Sequence, residues 1–592
     1  MDKCVYDQSL GIHVRRDSPF LDYKDGSEEY VGRVLRNLDN MEGYPVDLQG
    51  YIKDWPSQYH LSYQRTNLLE AISELFNKEW NVLEIGAGNG ALTPWLSERF
   101  NNVDSIEGSL ERAKNVRLRS RKAANVRVFA GDVTAMNLSG KYGLLSVVGV
   151  LEYIPYYNPT QRPADVCRDF LGKLAASVAD EGVALFAVEN KLGAKYLAGC
   201  AEDHNGKLFS GIMDYPDHSA LTFSRNELEE MLRNAGFGYV QFYHLFPDYK
   251  MPTTIIREDP RVTDIGVTGF VRGLFEDRTG GREFCFHDTL FIHSLEKAGL
   301  MDHFANSFLV LCAKKESVNL KTDFLIRKFW NRETTKPDLH HSITVTGEKD
   351  HYKVTRAPLK GGVTHGTFGN ALFRLDGEQP FLPGNPLIIE AYKAAISGNS
   401  RERLVVLLRE LMGNLTTHFS VEGEEGSDYP LVSGDGIDYC FWNLVREESG
   451  DLQFIDRKWS TRNPIPIDFV LFRNLYYLFQ DVYPFVTARR LSDFAVPLLQ
   501  AFFPRYTKSR FSEHLEREAR FQSDTRTAPV DFFDVEGGEF AGVPLTNLKA
   551  QLQEKEKYLS EITSGRGWRL LSVYYRMKAR ITGQTRKARK AG

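Results

Sequence analysis

NVLEIGAGNGALTPWL, residues 81–96, decides how the rest of the chain is read. Val82, Leu83 and Ile85 make a short apolar strand, and a helix begins from Ala91. The turn between them, Gly86-Ala87-Gly88-Asn89-Gly90, is rich in the residue that lets backbone approach a ligand closely and adopt positive φ. The helix that follows offers free N–H groups at its N-terminus to a polar ligand. The turn also fits the GxGxx(G/A) dinucleotide pattern through Gly86, Gly88 and Ala91. Glu84, two residues before the first glycine, argues against a pyrophosphate, which a carboxylate would repel; it suits a cationic amino-acid ligand. Glu107 ends the next strand, VDSIEG, where a carboxylate can take both hydroxyls of a ribose. Gly131-Asp132 ends the third, VRVFAGD, and places an acceptor where an adenine amino group can sit.

Outward from this turn, strands and helices alternate: helices from Ala91, Ser109 and Ala164, and strands VRVFAGD, GLLSVVGVLEYI and VALFAVEN. Alternation of this kind predicts a parallel sheet with helices on both faces. A helix ahead of the turn is expected over Tyr63 to Lys78, with Leu68, Leu69, Ile72 and Leu75 on one face. TFSRNELEEMLRNAGF reads as a helix stopped by Gly236. YVQFYHLF, TTIIRE and FLVLCAK are expected to finish the sheet with antiparallel partners, and the domain to end near residue 318. Residues 1–58, polar and irregular with many Tyr and Asp, read as an N-terminal arm.

The run from residue 59 to 318 resembles the class I S-adenosylmethionine-dependent methyltransferases. The resemblance implies a Rossmann-like, seven-stranded, mostly parallel sheet and S-adenosylmethionine as cofactor. It implies cofactor-binding roles for Glu84, Gly86, Ala87, Gly88, Gly90, Glu107, Asp132, Val133, Leu151 and Glu152. Gly143 after Tyr142 departs from the family, which often has Asp there. VENKLGAKYLAGCAEDHNGKLFSGIMDYPD follows the fifth strand, at the mouth where doubly wound sheets bind ligands. His204, oriented by Asp203 or Glu202, is the candidate general base for a hydroxyl. The same run is similar to bacterial methyltransferases of cell-surface polysaccharide assembly. That implies a glycan or lipid-linked glycan as acceptor; the location expected from the chain's N-terminus, its cysteines and its basic C-terminal end is a reducing cytoplasm, peripheral to the inner membrane.

GIDYCFWNLVREESGDLQFIDRKWS, residues 436–460, raises a second question. Asp438 and Asn443 have the spacing of a kinase catalytic Asp and its magnesium-binding Asn, and Asp456 follows a strand as the second metal ligand does. Residues 322–530 therefore resemble the protein-kinase-like and aminoglycoside-phosphotransferase-like superfamily, which implies an α+β kinase-like domain using ATP and magnesium. Gly436 replaces the usual His, and Arg457 and Lys458 oppose metal at Asp456. Arg356 or Lys353 would take the phosphate-binding role. A working phosphotransferase and a kinase-like fold that has lost catalysis both fit these residues. The layout is similar to bacterial O-antigen chain-terminating methyltransferase–kinases. A scaffold recruiting polysaccharide-assembly proteins is the alternative from another class.

The 592 residues suggest about three to four domains at roughly 150 each. A net charge of -4 gives no case for bulk nucleic-acid affinity, and no nucleic-acid partner is expected. Six cysteines form no CxxC, so neither zinc nor a disulfide framework is signalled. No apolar h-region opens the chain and no apolar run is long enough to span a bilayer. Leu545, Leu548, Leu552, Lys555, Leu559 and Ile562 predict a short coiled coil over 543–564, a route to partner proteins. Residues 565–592 carry nine Lys or Arg and no acid, interleaved with Trp568, Leu571 and Tyr575, and suit an anionic membrane surface.

Overall fold

Two short strands, β1 (Cys4–Asp7) and β2 (Ile12–Arg15), precede five strands that run parallel: β3 (Asn81–Ile85), β4 (Asn102–Glu107), β5 (Val126–Ala130), β6 (Tyr142–Val148) and β7 (Val178–Glu189). These apolar runs are covered on both faces, as parallel strands must be. Alternate residues feed two cores: Leu83, Ile85, Leu145 and Val147 one, and Val82, Leu144 and Val148 the other. β8 (Tyr239–Phe246), β9 (Thr254–Arg257) and β10 (Ser307–Ala313) follow, with β10 inserted antiparallel between β7 and β8. Counting β3–β8 and β10 in chain order, the sheet runs 3-2-1-4-5-7-6. The order reverses between β3 and β6, and a crevice opens there at the C-terminal strand ends.

This computed structural model describes residues 1–527, apart from 2, 18–19, 22, 40, 139, 158–160, 217–220, 279–281 and 422–428, together with 555 and 557. The coiled coil expected over 543–564 and the basic tail 565–592 lie outside the described residues, but for those last two positions.

The sheet does not stop at residue 318. β11 (Phe324–Trp330) pairs antiparallel with β9, and β12 (His341–Thr346) and β13 (Lys353–Pro358) extend it. β14 (His365–Phe368) and β15 (Ala371–Arg374) form a hairpin of their own, while β16 (Glu378–Pro380) pairs with β13 and closes the large sheet's edge. Beyond lies a helical core built from Leu387–Ile396, Ser400–Phe419, Ile467–Val482, Leu491–Leu499 and Lys508–Thr525. Among the described residues no helix is long and apolar enough to cross a membrane.

Two expectations differ. The single helix over Tyr63 to Lys78 is instead a 3-10 turn (Tyr63–Thr66), one helical turn (Asn67–Glu70) and a second 3-10 turn (Ser73–Leu75). Arg65 donates to the Lys250 carbonyl at 2.8 Å and Asn67 to the Pro252 carbonyl at 3.0 Å, so tertiary hydrogen bonds override a helical pattern. The irregular N-terminal arm contains the β1–β2 hairpin, paired to β5 through β2, and the helix Glu28–Asn37. Val31, Val34 and Leu35 bury that helix's apolar face.

Candidate functional site

Gly86, Gly88 and Gly90 adopt φ of 71°, 58° and 78°, the left-handed region the turn needs. A Cβ on Gly86 would fall inside the Val150 side chain. The cavity at this turn has a volume of about 250 Å³. One half is lined by Gly86, Gly88, Glu107, Asp132 and Val133, the ends of β3, β4 and β5. Glu107 is buried; its Oε2 accepts from Gly88 N–H at 2.7 Å and its Oε1 from Ser109 N–H at 2.9 Å. Burial pushes its carboxyl up, with Arg112 and those N–H groups opposing. Glu84 does not face this cavity. It lines a smaller one beside it with Ala87, and its Oε2 accepts from Ser105 Oγ (2.7 Å) and Thr93 Oγ1 (2.8 Å). Gly90 packs on Val116 and Arg119, away from the cavity.

The arm forms the roof. Leu21, Tyr23, Asp25, Trp55 and Tyr59 line the same cavity, opposite the turn. Asp25 Oδ2 fastens it, accepting from Arg112 Nη2 at 2.8 Å and lying 2.7 Å from His60 Nε2. Arg112 Nε also donates to Glu28 Oε1 at 3.0 Å, and its guanidinium lies 4.6 Å from the Tyr23 ring centre. Burial opposes charge on Asp25, but His60 and Arg112 together hold its carboxyl far below the usual range. Burial equally holds His60 neutral, so the ring donates to a carboxylate whose charge Arg112 balances.

The far half is aromatic and ends in charge. Tyr153 and Tyr249 complete a wall with Tyr23, whose ring centre lies 5.2 Å from that of Tyr153. Asp203 and Lys250 close it, 2.8 Å apart. Behind them Lys195 Nζ lies 2.8 Å from Asp203, 3.2 Å from Glu189 and 3.5 Å from Asp248, and Arg278 pairs with Asp248. The oxygens of Glu189, Asp203 and Asp248 are close enough to form a metal set, but three cations already compensate them. Burial opposes ionisation of Asp203, and Lys195, Lys250 and Arg278 overcome it, holding the carboxyl well below its ordinary range. So held, it cannot take a proton near neutrality.

His204 and Glu202 do not line the cavity. His204 Nε2 faces Glu202 Oε2 at 3.0 Å rather than Asp203. Leu151 and Glu152 are buried beside cavity-lining Val150, Tyr153 and Ile154 without lining it themselves. The arm residues, Tyr249 and Lys250 were not identified from sequence. The Tyr-rich composition of residues 21–63 was the arm's one signal, and composition does not say which strand ends a loop will cover.

In the second segment, Asn443 Nδ2 donates to the Asp438 carbonyl at 3.0 Å. Burial raises Asp438 to about 6 against Arg473, whose guanidinium is 3.7 Å away. Asp456 is paired with Lys458 and lies 3.3 Å from Arg356 Nε. Burial opposes its charge, and these cations bring it down to about 2. Lys353 points elsewhere, exposed and paired with Glu378 at 2.8 Å.

The family model described as Methyltransferase domain matches residues 58–241, less than half of the chain. No match was found among curated proteins. Solved structures with similarity include an S-adenosylmethionine-dependent methyltransferase from Thermotoga maritima (14% identity, 49% of this chain and 98% of that one, TM-score 0.27). They also include the N-methyltransferase NodS from Bradyrhizobium japonicum WM9 in complex with S-adenosyl-L-homocysteine (18%, 28% and 75%, TM-score 0.21). A third is an S-adenosylmethionine-dependent methyltransferase from Aquifex aeolicus (18%, 33% and 90%, TM-score 0.23). At these scores the structural likenesses carry no argument. The domain assignment rests on the family match, which ends at 241, and nothing in these comparisons supports a kinase fold for residues 322–530.

Proposed function

We propose, from the premise that residues 58–241 are an S-adenosylmethionine-dependent methyltransferase domain, that the protein methylates a hydroxyl of a cell-surface polysaccharide or of its lipid-linked precursor. The observation that carries this reading is the two-part cavity, with glycine turn and strand-end carboxylates on one side and an aromatic wall ending in Asp203–Lys250 on the other. The first half fits the cofactor: Gly86 has no room for a Cβ, and Glu107 and Asp132 stand where ribose and adenine would be held. The cofactor supplies an electrophilic methyl group on sulfonium. The chain's part is alignment and exclusion of water. Tyr23, Trp55, Tyr59, Tyr153 and Tyr249 present flat apolar faces of the kind that pack on sugar rings, with a charged pair at the end to bind hydroxyls. The arm, clasped by Asp25 and Arg112, shuts the site from above.

Calorimetry with S-adenosylhomocysteine tests the cofactor half. The wild type is expected to bind and Glu107→Ala to bind at least about tenfold more weakly, through loss of the ribose contact. Unchanged affinity in Glu107→Ala would place the ligand elsewhere. Transfer of labelled methyl from S-adenosylmethionine to a lipid-linked saccharide fraction tests the acceptor; label found only in protein or nucleic acid would overturn it.

For the second segment we infer that it does not carry metal-dependent phosphoryl transfer. Magnesium at Asp456 would have to displace Lys458 and Arg356 from a buried carboxylate. ATP with magnesium should therefore give no binding heat beyond that of ATP with a chelator. Magnesium-dependent binding that Asp456→Ala abolishes would reverse this inference.

A further inference from the structure

His244, in the second half of β8, is 2% exposed, and neither of its ring nitrogens makes a hydrogen bond. A buried polar group left in that state calls for an explanation. Its Nε2 is aimed at two acids, standing 2.9 Å from Asp302 Oδ1 and 3.5 Å from Glu258 Oε2. One ligand atom from each of the three residues lies within 4.8 Å of the other two.

The sheet builds this cluster. β8 and β9 pair antiparallel, with Tyr243 opposite Arg257 and His244 opposite Ile256. Glu258 follows β9, and its N–H donates to the Phe242 carbonyl at 3.0 Å. It therefore leaves the same face as His244, on the diagonal. Asp302 comes from the helical turn Met301–Phe304, just ahead of β10, which pairs with β8 on its other side and sets Phe308 opposite His244. The segment that carries Asp302 also holds the loop after β7: Asn190 Nδ2 donates to the carbonyls of His303 and Ala305, both at 2.8 Å.

Charge separates this cluster from Glu189, Asp203 and Asp248, where three cations answer three acids. Here Asp302 pairs with no lysine or arginine among the described residues. Glu258 has Arg225, which it shares with Glu229: Arg225 Nε donates to Glu258 Oε2 at 2.9 Å and Nη1 to Glu229 Oε2 at 2.6 Å. A carboxylate has lone pairs for a guanidinium and a metal together, and metal-binding carboxylates are ordinarily held by such outer hydrogen bonds. The Asp302 side chain is 51% exposed, which gives an ion a way in and a water room as fourth ligand.

We propose that His244 Nε2, Glu258 and Asp302 bind a zinc ion, which ties β8, the end of β9 and the turn before β10 to one another. The proposal does not depend on the methyltransferase reading. One imidazole and two carboxylates suit zinc, whereas calcium and magnesium take oxygen ligands. Zinc–ligand bonds of about 2.0–2.1 Å put two tetrahedral ligands about 3.3–3.5 Å apart. The 3.5 Å between His244 and Glu258 already matches that edge. Asp302, at 2.9 Å, would draw back toward solvent by about half an ångström. The ring proton then sits on Nδ1, leaving the Nε2 lone pair to the metal.

The test uses the full chain, stripped with a chelator, dialysed free of it and titrated calorimetrically with zinc chloride. One zinc per chain is expected, with a Kd of about 1 μM or tighter, and saturating zinc should raise Tm. Asp302→Asn keeps the size of a half-exposed side chain and removes its charge, so it should fold as the wild type does. It should bind zinc at least about tenfold more weakly and lose most of the rise in Tm. His244→Gln should weaken binding by at least as much, with far-UV circular dichroism checking that the sheet survives. Wild-type zinc affinity in both variants would place the ion elsewhere and overturn the proposal. A wild type that takes up no zinc would overturn it as well.

Discussion

Gly86→Val is expected to raise the Kd for S-adenosylhomocysteine by about 100-fold or more. Two costs coincide at this position. A β-branched residue at φ 71° pays about 1–2 kcal/mol for the left-handed conformation. The new Cβ would also overlap Val150, and overpacking costs about 1–3 kcal/mol more. Val150 lines the cavity, so a shift of its side chain away from the new Cβ toward the cavity would take up space a ligand would fill. About 3 kcal/mol taken from binding is roughly 100-fold in Kd. Calorimetry measures the affinity, and far-UV circular dichroism checks that the sheet survives. Gly88→Ala makes the contrast: a Cβ there meets only His60, at 3.9 Å, so the unliganded fold should tolerate it better. Binding by Gly86→Val within tenfold of wild type would show that the turn does not cradle the ligand.

Lys195→Met should be strongly destabilising, lowering stability by about 3–5 kcal/mol and Tm by roughly 2–4 °C for a chain of this size. Lys195 lies among Glu189, Asp203 and Asp248, with 4% of its side chain exposed. Its loss leaves three buried carboxylates to Lys250 and Arg278 alone. The pH dependence should distinguish this from a simple cavity. In the wild type, Asp203 and Asp248 have carboxyls held below their unfolded values, with burial overcome by the surrounding cations. Their stabilisation is present above the ordinary aspartate pKa, about 4, and is lost as pH falls through the depressed native values. In Lys195→Met one carboxylate can relieve the imbalance by taking a proton. The gap between variant and wild type should therefore narrow from pH 8 to pH 5, as measured by thermal unfolding. A gap independent of pH would mean that Lys195 acts through packing alone.

The proposed cofactor half was legible because its chemistry is local. The turn needs glycines at fixed offsets, and the carboxylates Glu107 and Asp132 stand where β4 and β5 give out, so a strand–helix alternation suffices to bring them to one crevice. Glu84 was legible from its place two residues before the turn but not in its contacts, since Ser105 and Thr93 claim an oxygen only once β3 and β4 pair. The arm was misjudged because its polar composition resembles a loop, while its aromatic residues bury themselves against strand ends far along the chain.

What the amino-acid sequence determined by itself was the sequence of elements, the glycine turn and the strand-end carboxylates, all governed by contacts within a few residues or by a regular period. What only the tertiary structure decided was the charge state of each acid. In sequence Asp203 read as a residue orienting His204 and Asp456 as a metal ligand, and neither reading carried a charge environment. Lys195, Lys250 and Arg278 converge on Asp203 from three separate segments, and Arg356 reaches Asp456 from β13. Coulomb energies in a buried site depend on distances between such segments, and no spacing along the chain encodes them.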